Sequence, residues 1–151
     1  MVRLTLVVLA LAVPCVPAAA SVSGSTPFSA RATTACLTAH RVLANSVPRT
    51  QVLPARYASV AALQISFALI PTQSIDHGWI FFEKDPATAS RVGAAWIAYL
   101  IKQAARVQGI DQSQVARVIR ASVSVDRNAI VQWDNRPTKA ASRKLVASCL
   151  R

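Results

Sequence analysis

The chain has 151 residues, of which 53% are hydrophobic and 15% charged, and its 17 Lys and Arg against 6 Asp and Glu give a net charge of +11. This is the length of one ordinary domain with room for a hydrophobic core. No internal repeat, coiled-coil heptad or low-complexity tract occurs, which excludes repeat, fibrous and low-complexity architectures. The positive charge favours anionic partners such as lipid surfaces, acidic polymers or acidic proteins. Because the basic residues are spread out, their charge is also typical of a surface that only maintains solubility.

Residues 1–20 have the pattern of a cleavable signal peptide. Arg3 precedes an apolar run, Leu4–Val13, which is followed by Pro14 and Pro17 and then by three alanines that end at Ala20. An uncleaved anchor is the alternative, but a spanning helix needs about 20 predominantly apolar residues. A second alternative is a lipoprotein that is acylated at Cys15, but the preceding Pro14 disfavours acylation there. We therefore expect a secreted or extracytoplasmic protein without a transmembrane helix after cleavage, and we do not expect nucleic acid as its partner.

Cleavage after Ala20 leaves two of the three cysteines, Cys36 and Cys149. An even pair in an exported protein predicts a disulfide. It would join the first predicted helix to the last and stabilise the fold by about 4–5 kcal/mol in the chain-entropy model. His40 shares a predicted helix face with Cys36, so a metal or redox role is the alternative. Zinc sites normally have a fourth ligand and closer spacing, and we predict no metal and no cofactor.

The first predicted elements are an arm and a helix. Residues 21–33 are rich in Ser, Thr and Ala and predict a flexible N-terminal arm. A single globular domain then follows at 34–151. Thr34 is the candidate cap of a helix at Ala35–Asn45. Two prolines predict a connector at 46–54.

Two strands are predicted next. Alternating apolar residues predict a strand at Leu63–Ile70, although residues 56–64 also fit a helix. The segment 71–78 is a predicted turn, and the aromatic and β-branched segment Trp79–Glu83 is a predicted strand. The two strands are expected to pair as an antiparallel hairpin.

Two helix starts follow the hairpin. Asp85 is a predicted cap with Pro86 in the first turn, and this helix is expected to end at Gly109. Asp111 is the predicted cap of the next helix, and Ile110 and Val115 have the spacing of a hydrophobic staple.

The C-terminal third predicts a short hairpin and a last helix. Residues 122–125 and 129–133 flank a turn, whereas one longer helix over 115–125 is the alternative. The final helix is predicted at Pro137–Leu150. The order of elements predicts an α+β fold with helices packed on a small antiparallel sheet.

His77 is the candidate catalytic residue, with Asp76 beside it in the predicted hairpin loop. Histidine acts as an acid or base near neutral pH, and a hydrolase would need a nucleophile such as Ser74 or Ser66 within hydrogen-bond reach. No nucleophile motif is present, and adjacent Asp and His are also ordinary in turns.

Two sets of residues are candidates for ligand binding. Arg91, Lys102 and Arg106 form a cationic stripe on the long helix, and Trp79, Phe82 and Trp96 would form an aromatic groove between hairpin and helix. The aromatic residues are equally typical of a core. The sequence therefore predicts a small secreted, non-catalytic binding protein for an anionic surface or a hydrophobic ligand, with a secreted hydrolase that uses His77 as the alternative.

Overall fold

The computed structural model describes residues 26–48, 60–67, 76–106, 111–134 and 138–151. Within these residues the chain forms four helices and one five-stranded antiparallel sheet, and the predicted α+β class is confirmed. In chain order the elements are α1 (Ala30–Ala39), β1 (Leu43–Ser46), β2 (Ala61–Phe67), β3 (Asp76–Phe82), α2 (Pro86–Ala104), α3 (Gln112–Ser122), β4 (Val123–Asp126), β5 (Ala129–Trp133) and α4 (Ala140–Cys149).

The sheet has the strand order β1-β2-β3-β5-β4, and every neighbouring pair is antiparallel. Both predicted hairpins are confirmed as the pairs β2–β3 and β4–β5. Strand β1 was not predicted, because its residues fell at the end of the helix expected at Ala35–Asn45. For the residues from Ala61 onward, the strand interpretation is confirmed and the helical one is wrong.

Helices cover both sides of the sheet, and the strand residues alternate between two cores. On one side Leu63, Ile65 and Phe82 pack with residues of α1 and α4. On the other, Phe81 and Ile130 pack under α2, and α3 lies against α2 and β4. Burying one such side chain contributes about 1.5–3 kcal/mol, so the central strands hold both layers together.

Helix α1 begins five residues before the predicted start. Ser29 caps it by accepting from the Ala32 amide, and Thr34 lies inside it. Ahead of the cap, Phe28 is buried and its amide donates to Asn128 Oδ1 at 2.6 Å. Part of the segment expected as a flexible arm, residues 26–33, thus packs on the domain; residues 1–25, including the expected signal peptide, lie outside the described residues.

The left-handed conformation of Arg41, with φ 60°, ends α1 early. The amide of Arg41 donates to the Thr38 carbonyl, and the amide of Val42 donates to the Leu37 carbonyl. This is the Schellman arrangement, in which glycine usually occupies the left-handed position. Because an arginine stands there, the sequence offered no stop signal, and the helix prediction was wrong at both ends.

The predicted caps of α2 and α3 are confirmed. Asp85 accepts from the Thr88 amide at 2.6 Å, with Pro86 at the first helical position. Asp111 accepts from the Ser113 and Gln114 amides. Helix α3 ends at Ser122 and continues directly into β4, so the longer helix over 115–125 is wrong.

Of the remaining predicted element boundaries, some fall on residues that the structure describes and others do not. Helix α4 begins at Ala140 and not at Pro137. The expected end of β2 at Ile70, the turn at 71–75, the helix end at Gly109 and the staple residue Ile110 lie outside the described residues.

The Cys36–Cys149 disulfide is confirmed and joins α1 to α4, with a Cα–Cα distance of 5.4 Å. It spans 113 residues of sequence. Cys149 is fully buried beside Val146, whereas Cys36 is half-buried. The bridge therefore fastens the two helices that cover the same side of the sheet.

Candidate functional site

The catalytic candidate His77 lies on β3 and meets Ser66 of β2. The two residues are direct cross-strand partners, and Ser66 Oγ lies 2.8 Å from His77 Nδ1. Both are half-buried on the α2 side of the sheet. The structure therefore places a hydroxyl within hydrogen-bond reach of the imidazole, as a nucleophile and base require. The other candidate nucleophile, Ser74, lies outside the described residues.

Asp76 is separated from His77 by the sheet, because successive residues of a strand point to opposite faces. Its carboxylate accepts from the Ser142 hydroxyl at 2.6 Å and from the Lys139 amide at 3.3 Å. The cap residue of α4, Lys139, makes no side-chain cap of its own. Asp76 thus supplies the missing cap of α4 and does not orient His77.

Asp134 is the carboxylate that the strand register brings level with His77. Its amide donates to the His77 carbonyl at 2.9 Å, continuing the pairing of Gly78 with Trp133. Asp134 is exposed, and His77 forms no hydrogen bond with a carboxylate in the described part of the chain. The pairing of β3 with β5 creates this neighbourhood, so sequence spacing contains no signal for it.

Ser66 lies in an interior strand, which limits what it can do as a nucleophile. Strand β2 pairs with β1 on one edge and with β3 on the other, and Ser66 stands opposite both Leu43 and His77. Backbone amides of an interior strand are used in its ladders, whereas an oxyanion hole needs amide donors directed at the reacting atom. The Ser66–His77 pair therefore has the geometry of a cross-strand hydrogen bond. The backbone amide of Ser66 itself is not placed to serve as an oxyanion-hole donor.

The predicted aromatic groove is divided by the sheet. Trp79 and Trp96 lie on the α2 side, whereas Phe82 is buried in the core on the α1 and α4 side. Trp96 donates from Nε1 to Gln132 Oε1, and its ring stacks on that of Tyr99 at 5.3 Å. Trp96 is thus buried between α2 and the sheet, and the three predicted residues do not line one groove.

The three residues of the predicted cationic stripe are exposed to solvent. Arg91 and Lys102 are exposed and lie about 16 Å apart along the helix axis. Arg106 is exposed just beyond the end of α2, where its Nη1 donates to Gln103 Oε1 at 3.1 Å. Arg91 and Lys102 are eleven residues, about three helical turns, apart and therefore share one face of α2, whereas Arg106 follows in the turn after the helix.

His40 lies close to the disulfide at the end of α1. One potential ligand atom from each of Cys36, His40 and Cys149 falls within 4.8 Å of the others. The two sulfurs are bonded to each other, so neither is the thiolate that a zinc ion requires. In its oxidised form the cluster is a structural disulfide with a histidine beside it.

An open cavity of about 330 Å³ was missed by the sequence reasoning. It lies where the end of α1, the end of β2 and the start of α4 meet. The described residues that line it are His40, Arg41, Val42, Phe67, Ala141, Ser142 and Leu145. Only the tertiary structure brings these three segments together. Because a helix was predicted through residue 45, the turn after α1 that lines the cavity was not predicted.

The sequence matches no protein-family model, and no curated protein or solved structure is significantly similar to it. Within the described residues, no helix is both long enough and apolar enough to cross a membrane.

Proposed function

We propose that this chain is a small secreted, non-catalytic binding protein of the extracytoplasmic space, and that its partner is an acidic polymer. The observation that carries the proposal is that the described cations are exposed and form few ion pairs. Thirteen of the 17 Lys and Arg lie in the described residues, and all of them except Arg143 are exposed. Among those residues a single ion pair occurs, between Lys84 and Asp85 at 3.9 Å.

Three of the six acidic groups accept hydrogen bonds from backbone amides and side-chain hydroxyl groups. Asp76 is buried against α4, and Asp85 and Asp111 cap α2 and α3. Exposed positive charges that are not neutralised by a carboxylate produce a field that attracts polyanions and is screened over about 10 Å at 0.1 M salt. Binding should therefore be strongest at low ionic strength.

The α2 stripe favours an extended polymer over a lipid surface. Arg91 and Lys102 lie about 16 Å apart along the axis of α2, a span that about five residues of an extended polyglutamate chain would cover. The exposed residues Ala94 and Ala98 lie on the same helix. Binding in a membrane interface also draws on large apolar side chains that enter it, and alanines do not supply them.

The test is retention of the mature protein on immobilised polyglutamate over a salt gradient. We expect a variant with Arg91, Lys102 and Arg106 replaced by Ala to bind about a hundredfold more weakly at low salt, since each of the three cations near an anionic surface contributes about 1 kcal/mol. The matched control replaces three exposed cations of the opposite layer and the terminus, Arg31, Lys144 and Arg151, by Ala. Equal losses of retention in the two variants would contradict the stripe as the binding surface. Retention on anionic vesicles without retention on polyglutamate would contradict an acidic polymer as the partner.

A hydrolase is the second candidate, because Ser66 Oγ lies 2.8 Å from His77 Nδ1. In this function His77 would remove the proton from Ser66 as the hydroxyl attacks an ester or amide carbonyl. The absence of a carboxylate bonded to His77 in the described residues, and the ladder around Ser66, favour the non-catalytic function.

The hydrolase candidate is tested with an activated ester. If it is correct, Ser66→Ala and His77→Gln should each abolish turnover, and Ser124→Ala, which changes an exposed serine of β4, should not. Turnover that survives both substitutions, or none in the wild type, removes this candidate.

A further inference from the structure

The cavity at the end of α1 has the size and lining of a small-molecule site. Its volume of about 330 Å³ is at the lower end of the roughly 300–1,000 Å³ found for such sites. Val42 and Phe67 form a buried apolar floor, and the half-buried Leu145 completes one wall. The polar lining residue Ser142 already donates its hydroxyl to Asp76. An apolar group is therefore what the floor accommodates.

The rim of the cavity contains one cationic side chain, that of Arg41. Arg41 and His40 are both exposed there, at the point where α1 turns towards β1. The guanidinium group of Arg41 has no hydrogen-bond or ion-pair partner in the described part of the chain. Guanidinium binds carboxylates through two parallel hydrogen bonds. A ligand with an apolar body and one carboxylate would satisfy both the floor and the rim.

A second observation is that the left-handed position of the turn that ends α1, where glycine is usual, is occupied by an arginine. Arg41 at φ 60° and Arg127 at φ 47° are the two residues other than glycine with positive φ among the described residues. This conformation is strained for an L side chain, and such strain concentrates at functional sites. Arg127 is held by contacts inside the protein: it donates to the Thr26 carbonyl and lies 4.6 Å from the centre of the Phe28 ring. Arg41 has the same strain and faces the cavity.

We infer that this cavity binds a small hydrophobic carboxylate, with its apolar body against Val42, Phe67 and Leu145 and its carboxylate on Arg41. The site lies on the α1 and α4 side of the sheet, opposite the α2 stripe. It is therefore separate from the polymer-binding surface, and either proposal can fail without the other.

The experiment is calorimetric titration of the wild-type protein and three variants with octanoate, with octanol and inorganic phosphate as comparison probes. The wild type is expected to bind one octanoate, and Arg41→Gly should weaken this about ten- to a hundredfold, as expected for one charge-assisted interaction. Its thermal midpoint should be unchanged or higher, because glycine relieves the strain. Arg127→Gly relieves the same kind of strain and removes the same charge far from the cavity, so its octanoate affinity should equal that of the wild type. Ala141→Trp, a substitution at an exposed lining position, should fill the cavity and abolish binding.

Octanol and phosphate should bind at least tenfold more weakly than octanoate, because each carries half of the recognised chemistry. Three results would overturn the inference: no octanoate binding by folded wild-type protein, equal octanoate affinities of Arg41→Gly and wild type, or equal losses in Arg41→Gly and Arg127→Gly. Retention of the same proteins on polyglutamate separates the two proposals, since a failed cavity leaves that retention intact.

Discussion

Replacing Asp76 by Ala is expected to lower the free energy of unfolding by about 3 kcal/mol. The carboxylate is buried, with 7% of its residue surface exposed, and it accepts from the Ser142 hydroxyl and the Lys139 amide. A hydrogen bond to a charged group contributes about 1.5–3 kcal/mol, and loss of a helix cap costs about 1 kcal/mol. The substitution also leaves the Ser142 hydroxyl buried without its acceptor.

The measurement is urea denaturation of Asp76→Ala beside Asp126→Ala, which removes an exposed carboxylate. We expect the Asp126 variant to lie within about 0.5 kcal/mol of the wild type. A double-mutant cycle with Ser142→Ala should give a coupling energy of about 1 kcal/mol or more, because the two groups touch. If Asp76→Ala matches the Asp126 control, or if the Asp76 and Ser142 substitutions are additive, then Asp76 does not cap α4.

Three further predictions concern the sheet, the bridge and the caps. Gly78→Ala should lower the free energy of unfolding by about 1–3 kcal/mol, since an added Cβ would lie 2.6 Å from a backbone carbonyl oxygen of β5; an unchanged urea midpoint would contradict this. Paired Cys36→Ser and Cys149→Ser should cost about 4–5 kcal/mol by the chain-entropy model, and a loss below 1 kcal/mol would show that α4 stays docked without the bridge. Stability should fall as the pH drops below about 4, because hydrogen bonds from the Thr88 amide and hydroxyl lower the pKa of Asp85, and those from Ser113 and the Gln114 amide lower the pKa of Asp111, from the usual 3.8. A carboxyl group whose pKa is lower in the folded state stabilises the fold at pH values above its unfolded-state pKa, and this stabilisation is lost as the pH falls through its folded-state pKa. The free energy of unfolding of Asp85→Asn and Asp111→Asn should therefore depend less on pH in this range. Curves parallel to that of the wild type would show that these two caps do not cause the pH dependence.

Local structural features were predictable from the sequence wherever a residue type strongly prefers one structural position. Asp85 and Asp111 were identified as caps from their own sequence neighbourhoods, and Cys36 and Cys149 as a pair from an even count after a leader. Alternation identified β2, and aromatic and β-branched content identified β3. Helix α1 was misplaced because its stop depends on a left-handed arginine, which the sequence pattern does not distinguish from any other exposed arginine.

The candidate site depended on information that no local window contains. Asp76 and His77 are adjacent in sequence, yet strand geometry sends one to cap α4 and the other to Ser66. Ser66 meets His77 only because the β2–β3 register pairs residues 11 positions apart. Phe82 and Trp96 are likewise separated by the sheet itself, since the alternation that identifies a strand does not say which layer covers each face.

By itself, the sequence determined the α+β class, the disulfide partners, two helix caps and the excess of exposed positive charge. These follow from composition, periodicity and short-range hydrogen bonding, which act over a few residues. The tertiary structure alone decided which strand faces meet which helices, that Ser66 contacts His77, and that Arg41 stands at the rim of an apolar cavity. Such contacts join residues far apart along the chain, and only the packing of two helical layers on one twisted sheet brings them together.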